Sequence, residues 1–207
     1  MKILRHALLV ILATIALGIG VAAAQPKVAD VVAIKGTAFV TSGGKVQTVR
    51  PGQALHQGDQ LHAPVGCGIR IRFTDGSTMA LGENSIITIH TYTQQGNDRS
   101  AILEMVSGIF RAVVSPVTGN SVFAVRTPTA VAAVRSTDWM LAAKEDLTEV
   151  FVSEGFVAVR NLNPTITSEV ILTNGDGTDV KTNEAPLSAR KWGPPRIRAF
   201  QERMTVN

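Results

Sequence analysis

Beyond residue 24, the histidines and cysteine that could carry chemistry on residue type alone are His56, His62, His90 and Cys67. None of the histidines sits at i, i+4 from another or beside the cysteine, so no short motif assembles a zinc site. His56 and His62 flank Gly58-Asp59 and read as solvent-facing residues on either side of a turn. Cys67 stands between Gly66 and Gly68 and reads as a small buried residue at a strand start rather than a nucleophile. No serine lies in a G-x-S-x-G elbow. The run Asn174-x-Asp176-x-Thr178-Asp179 begins like a calcium loop, but Asp179 occupies the sixth position, where glycine is required, and Ala185 the twelfth, where a bidentate glutamate is required. A turn joining two strands accounts for it. Sixteen acidic residues could supply a carboxylate pair, but no spacing selects one. The expectation is a protein without catalytic residues, metal or cofactor.

Charge narrows the partners. Lys and Arg number 20 against 16 Asp and Glu, but the excess is localised. Two cations, Lys2 and Arg5, precede an apolar run from Ala7 to Val21, and five more (Arg190, Lys191, Arg196, Arg198, Arg203) lie from Pro186 onward against Glu202. The body between is slightly acidic. A nucleic-acid-binding face would spread cations through the fold, so nucleic acid is excluded as a partner. The basic tail around Trp192 and Gly193-Pro194-Pro195 reads either as a strap packed on the domain or as a surface that touches an anionic partner through Arg190, Lys191, Trp192, Arg196 and Arg198.

The amino terminus, with its cations, apolar run and Ala22-Ala23-Ala24, has the order of a secretory signal peptide over residues 1–24. Cleavage before Gln25 would leave no transmembrane segment and place the protein in the periplasm or outside the cell. With a single cysteine no internal disulfide can form, so stability must come from packing. The expected organisation is a signal peptide at 1–24, one β domain at 25–185 and a basic tail at 186–207.

The elements needed to position any site are strands. Stretches rich in Val, Ile, Thr and Phe recur between turn residues at Gly43-Gly44, Pro51-Gly52, Gly58-Asp59, Asp75-Gly76, Gly108, Pro128, Glu154-Gly155 and Asn174-Gly175. Ile69, Ile71 and Phe73 alternate with Arg70, Arg72 and Thr74, which turns apolar groups to one face of a strand. Asp75-Gly76 then closes a hairpin, because glycine accepts positive φ. Even the alanine-rich stretch 129–143 carries Val131, Val134 and flanking threonines that favour extended chain. The fold class is all-β, a sandwich or a solenoid-like stack.

Five segments stand out together: Val31-Val32-Ala33-Ile34-Lys35-Gly36; Pro51-Gly52 with Gly58-Asp59; Arg70 to Leu81 around Asp75-Gly76; Thr127-Pro128 through Arg135-Ser136-Thr137; and Val150 to Val159 around Glu154-Gly155. In combination they resemble the FecR-type periplasmic domain family. The resemblance implies a β fold in the periplasm and a protein partner. Glycine is usual where Ser136 stands, so the turn there either avoids positive φ or carries strain. Full regulators of the family carry a cytoplasmic sigma-factor-binding segment and a membrane helix ahead of this domain. Here the export signal abuts it, so a stand-alone exported domain is expected, binding or scaffolding protein partners in envelope or cell-surface signalling. The alternative is a carbohydrate- or cell-wall-binding module, for which Trp139, Trp192, Tyr92 and seven phenylalanines are the stacking platforms on offer.

Overall fold

A computed structural model describes residues 25–96, 98–116 and 121–204; the signal-peptide expectation therefore lies outside the described residues. The chain runs β1 (Lys27–Lys35), β2 (Phe39–Ser42), β3 (Lys45–Thr48), β4 (Ala54–His56), β5 (Gln60–Ala63), β6 (Gly68–Phe73), β7 (Thr78–Leu81) and β8 (Ser85–Gln95). It continues through β9 (Asp98–Val114), β10 (Val122–Arg126), β11 (Ala130–Ala143), β12 (Leu147–Asn161), β13 (Glu169–Leu172), β14 (Asp176–Lys181), β15 (Arg190–Lys191) and α1 (Pro194–Glu202). The all-β expectation holds, with one short helix at the end.

Three strands are longer than the sequence suggests, and they organise everything else. Gly108 and Glu154-Gly155, expected to be turns, lie inside continuous β9 and β12, and the expected break before Asp138 lies inside continuous β11. Gly108 and Gly155 have φ of 107° and 96°, so each re-aims its strand without ending it, which is what a bulge does. A side chain on Gly108 would run into the Ser85 backbone, where Ser85 Oγ donates to the Ile109 carbonyl and accepts from its N–H, both at 3.0 Å.

Because β9, β11 and β12 bend, their two halves join different neighbours. The first half of β9 pairs with β8 and, in parallel, with β10; its second half pairs with β7 and with the second half of β11. The first half of β11 pairs with β10. Similarly, β12 pairs with β14 near its start and with β13 near its end. All fifteen strands thus belong to one sheet that folds over into two layers. One layer holds β5, β8, β10 and β13; the other holds β1, β6, β7 and β14. The main core lies between them. Phe73 on β6 stacks on Tyr92 of β8 at 5.5 Å and meets Phe123 of β10 edge-on at 5.9 Å. Trp139, fully buried, meets Phe110 edge-on at 4.9 Å.

The tail is an element of the fold. Two prolines open α1, where the missing N–H and fixed φ suit the first helical turn. Trp192, Phe200 and Met204 form a second cluster with Ile109, Met140, Ala142 and Phe151 on the outer face of the β7–β14 layer. Arg196 lies over the Trp192 ring at 3.7 Å and ion-pairs with Glu149 and Asp179. Burial works against its charge, but the hydrogen bonds it donates to Asp179 and Glu149 hold its pKa above the ordinary arginine value. Arg190 pairs with Asp179 at 3.3 Å and Lys191 with Asp176 at 2.9 Å. Of the five tail residues expected to offer a charged surface, Trp192 is buried, Arg190, Lys191 and Arg196 are engaged within the fold, and Arg198 is exposed. Among the described residues no helix is long and apolar enough to cross a membrane.

Candidate protein-binding face

The residues singled out from the sequence divide among three places. Gly58-Asp59 closes the turn between β4 and β5: Gly58 has φ of 90°, and Asp59 Oδ2 accepts from the His56 N–H at 2.8 Å. Gly58 N–H donates to Ile89 O, and Ile89 N–H to Asp59 O, which ties the turn to β8. His56 is half-buried and His62 exposed. Cys67 is half-buried rather than enclosed, because it sits in the turn after Pro64, where its N–H donates back to the Pro64 carbonyl.

Thr127-Pro128 belongs to a second place, a buried threonine network. Thr127 Oγ1 accepts from the Ala130 N–H at 2.9 Å and lies 2.6 Å from Thr148 Oγ1, while Thr129 Oγ1 donates to the Val180 carbonyl at 2.9 Å. These hydroxyls satisfy one another and the backbone between β11, β12 and β14, so they build rather than bind. Pro128 is exposed at the turn itself.

The third place gathers the rest. In the β6–β7 hairpin Gly76 (φ 86°) follows Asp75, and the Gly76 N–H donates to Phe73 O at 3.0 Å, the type I turn plus glycine of a three-residue loop. Asp75 accepts from Ser77 N–H and Oγ, both at 2.9 Å, and forms a fully buried ion pair with Arg99. Arg99 also donates to Ser77 Oγ at 3.2 Å and to the Arg135 carbonyl at 3.5 Å. The Asp75–Arg99 pair therefore couples the hairpin of one layer to Arg135-Ser136-Thr137 at the bend of β11. Ser136 is not among the residues with positive φ; the left-handed residue at this bend is Gly155 across the ladder, paired with Thr137. Thr137 Oγ1 donates to the Phe156 carbonyl at 2.9 Å. Tyr92, which accepts from the Asp75 N–H at 3.2 Å, has its phenol pKa raised chiefly by burial.

Arg135, Ser136 and Gly155 form one rim of an open groove of about 590 Å³ on the outside of the β8–β13 layer. Ala133, Ala158 and Ile171 line its floor, and strand register continues their row beyond the groove. Ile102, Ala124, Ala133, Ala158 and Ile171 lie opposite one another in turn on β9, β10, β11, β12 and β13, a single row in which three alanines leave a trough between two isoleucines. Phe156 (66 % exposed), Ile171 (52 %) and Val122 (47 %) stand around it. Two residues further along the strands runs a row of Glu104, Arg126, Val131, Arg160 and Glu169 in the same register, with Arg126 and Glu104 at 3.7 Å. An apolar trough edged by polar and charged residues is the signature of an interaction surface. Among the described residues no three His, Cys, Asp or Glu side chains cluster to hold a metal ion.

Sequence reasoning reached the rim but missed the floor and the buried arginine. Phe123-Ala124-Val125 reads as a continuous apolar run, and Ala133 and Ala158 carry no weight in a motif, so their alignment across strands is invisible until register is known. Arg99 belongs to no motif in the sequence, so its burial against Asp75 emerges only in the fold.

No curated protein matches the chain. Two solved structures share its fold, both of candidate anti-sigma factors from Parabacteroides distasonis, at 1.65 and 2.50 Å resolution. Each is 18 % identical and covers 69 % of this chain, with TM-scores of 0.54 and 0.56. The chain spans 64 % and 63 % of their respective lengths. Residues 59–158, from the β4–β5 turn through the groove-forming part of β12, match the family described as FecR protein, so this segment of the chain is a FecR domain.

Proposed function

We propose that this protein is an exported, non-catalytic FecR-domain module that binds or scaffolds other proteins of the cell envelope, in signalling at the periplasm or cell surface. The observation that carries this reading is the open apolar groove on the outer sheet face, lined by the family-matched segment and by Ile171 beyond it, and rimmed by Arg135, Ser136 and Gly155. The opposite outer face shows what such a surface does when it is satisfied, since Trp192, Phe200 and Met204 of the chain's own tail cover it. The groove face has no such cover among the described residues, and Phe156, Ile171 and Val122 remain exposed there. The candidate anti-sigma factors of like fold add a signalling context. Residues 1–24 act in this reading as the export signal, cleaved before Gln25; mass spectrometry of the exported protein showing Met1 to Ala24 retained would make it an anchored protein instead.

A carbohydrate-binding role has less to stand on. Both tryptophans and Tyr92 are buried, leaving few aromatic faces for a sugar to stack on. The test is a photo-reactive residue at position 171 in intact cells, beside a control at exposed Val46 on β3. Protein adducts from 171 and not from 46 support the reading. Glycan adducts, or equal labelling at both positions, overturn it.

A further inference from the structure

We infer that the occupant of the groove is a second copy of this chain, paired face to face about a two-fold axis; this builds on the protein-binding reading of the face. A two-fold interface requires a patch that is complementary to itself. This patch holds both halves of such a match. Phe156 is a projecting aromatic, two-thirds exposed, and it stands beside a hollow of about 590 Å³ bordered by Ala133, Ala158 and Val122. Seating each copy's Phe156 in the hollow of the other would bury the largest exposed apolar group on the face.

The charges agree. Glu104, Arg126, Arg160 and Glu169 lie in one row beside the groove, and Arg135 lines its rim with Glu154 next to the rim residue Gly155, three charges of each sign. Arg126 is half-engaged with Glu104 at 3.7 Å, whereas the side chains of Arg135, Arg160, Glu154 and Glu169 have no ion partner among the described residues. A strongly acidic or strongly basic partner would find as much repulsion as attraction here, and a second copy finds each sign opposite its complement. Arg135 lines the same rim as Phe156, and Glu154 lies two residues from it. Insertion of Phe156 brings the two rims together, so Arg135 of one copy meets Glu154 of the other. The row from Ile102 to Ile171 crosses five strands, a width of roughly 19 Å. A patch of that breadth belongs to weak, concentration-dependent association rather than to an obligate dimer.

Sedimentation velocity of the purified protein over a wide range of micromolar concentrations tests this, with circular dichroism and thermal melts confirming that each variant is folded. The wild type should shift from monomer to dimer with concentration. Phe156→Asp and, independently, Ile171→Glu should each weaken the dimer at least ~30-fold, as loss of a central apolar anchor does. Arg135→Glu and Glu154→Arg should each weaken it ~5–10-fold, and the double reversal should restore most of the loss. A monomer at every concentration, dimerisation indifferent to Phe156→Asp, or a double reversal no better than the singles would overturn the inference. Envelope-protein adducts from position 171 on a protein that stays monomeric would do the same while leaving the protein-binding reading of the face intact.

Discussion

Gly155 packs against the backbone of Ser136 at the bend of the β11–β12 ladder, and a side-chain carbon on Gly155 would stand closer than 3.0 Å to the Ser136 carbonyl oxygen. Gly155 also has φ of 96°. Backbone strain and steric conflict therefore act together at one position, on the rim of the groove.

Gly155→Ala should destabilise the fold by about 3 kcal/mol, since a non-glycine residue held in such a region costs ~1–3 kcal/mol before any clash is counted. Ser136→Gly should also destabilise, by ~0.5–1 kcal/mol, because Ser136 does not need the left-handed region and glycine there only frees the unfolded chain. Thermal melts of both variants check this; a stabilising Ser136→Gly would mean that the bend strains Ser136 after all.

The buried Asp75–Arg99 pair, with side chains 2 % and 1 % exposed, makes a sharper claim about coupling. Removing one partner by Asp75→Ala or Arg99→Met leaves the other charge buried, at a cost of ~3–5 kcal/mol each. The double change Asp75→Leu with Arg99→Met should cost far less than the two singles together. Urea unfolding gives all values, and strict additivity would show that the pair is not one unit.

Trp192 is 7 % exposed, stacks on Phe151 at 5.3 Å and meets Phe200 edge-on at 4.9 Å. Trp192→Ala should cost ~3–5 kcal/mol. Deleting residues 186–207 should uncover Ile109, Met140 and Phe151 and raise binding of a hydrophobic dye. A truncated protein that melts like the full chain and binds no more dye would show that the tail is dispensable cover.

Attachment of that tail should depend on pH. Asp176 is held below its ordinary carboxylate value by hydrogen bonding from Thr173 (Oγ1 at 2.7 Å) and then from Lys191. A lowered folded-state pKa contributes stability that is whole above the unfolded value of ~3.9 and is lost as pH falls through the folded one. The stability difference between wild type and Asp176→Asn should therefore be flat from neutral pH to about pH 5 and shrink below about pH 4. Denaturant titrations across that range measure it; a difference that grows on acidification would reverse the sign.

What the amino-acid sequence determined by itself is the local part of this protein. Alternation such as Ile69-Arg70-Ile71-Arg72-Phe73 and the Asp75-Gly76 turn sufficed for β6, β7 and their hairpin, because side-chain period and positive φ are properties of a few neighbouring residues. The family segments were legible for the same reason. Long-range pairing decided the rest. Gly108 and Gly155 look like turn residues in sequence, and only their partners Ser85 and Ser136-Thr137, brought close by the fold, make them bulges within unbroken strands. The helix after Gly193 was concealed by two prolines that break a helix anywhere except at its start. Ala124, Ala133 and Ala158 line up only because the parallel β9–β10 and antiparallel β10–β11–β12 ladders fix their register. A groove across strands is a property of that register, and register is settled by burying both faces of a two-layer core at once.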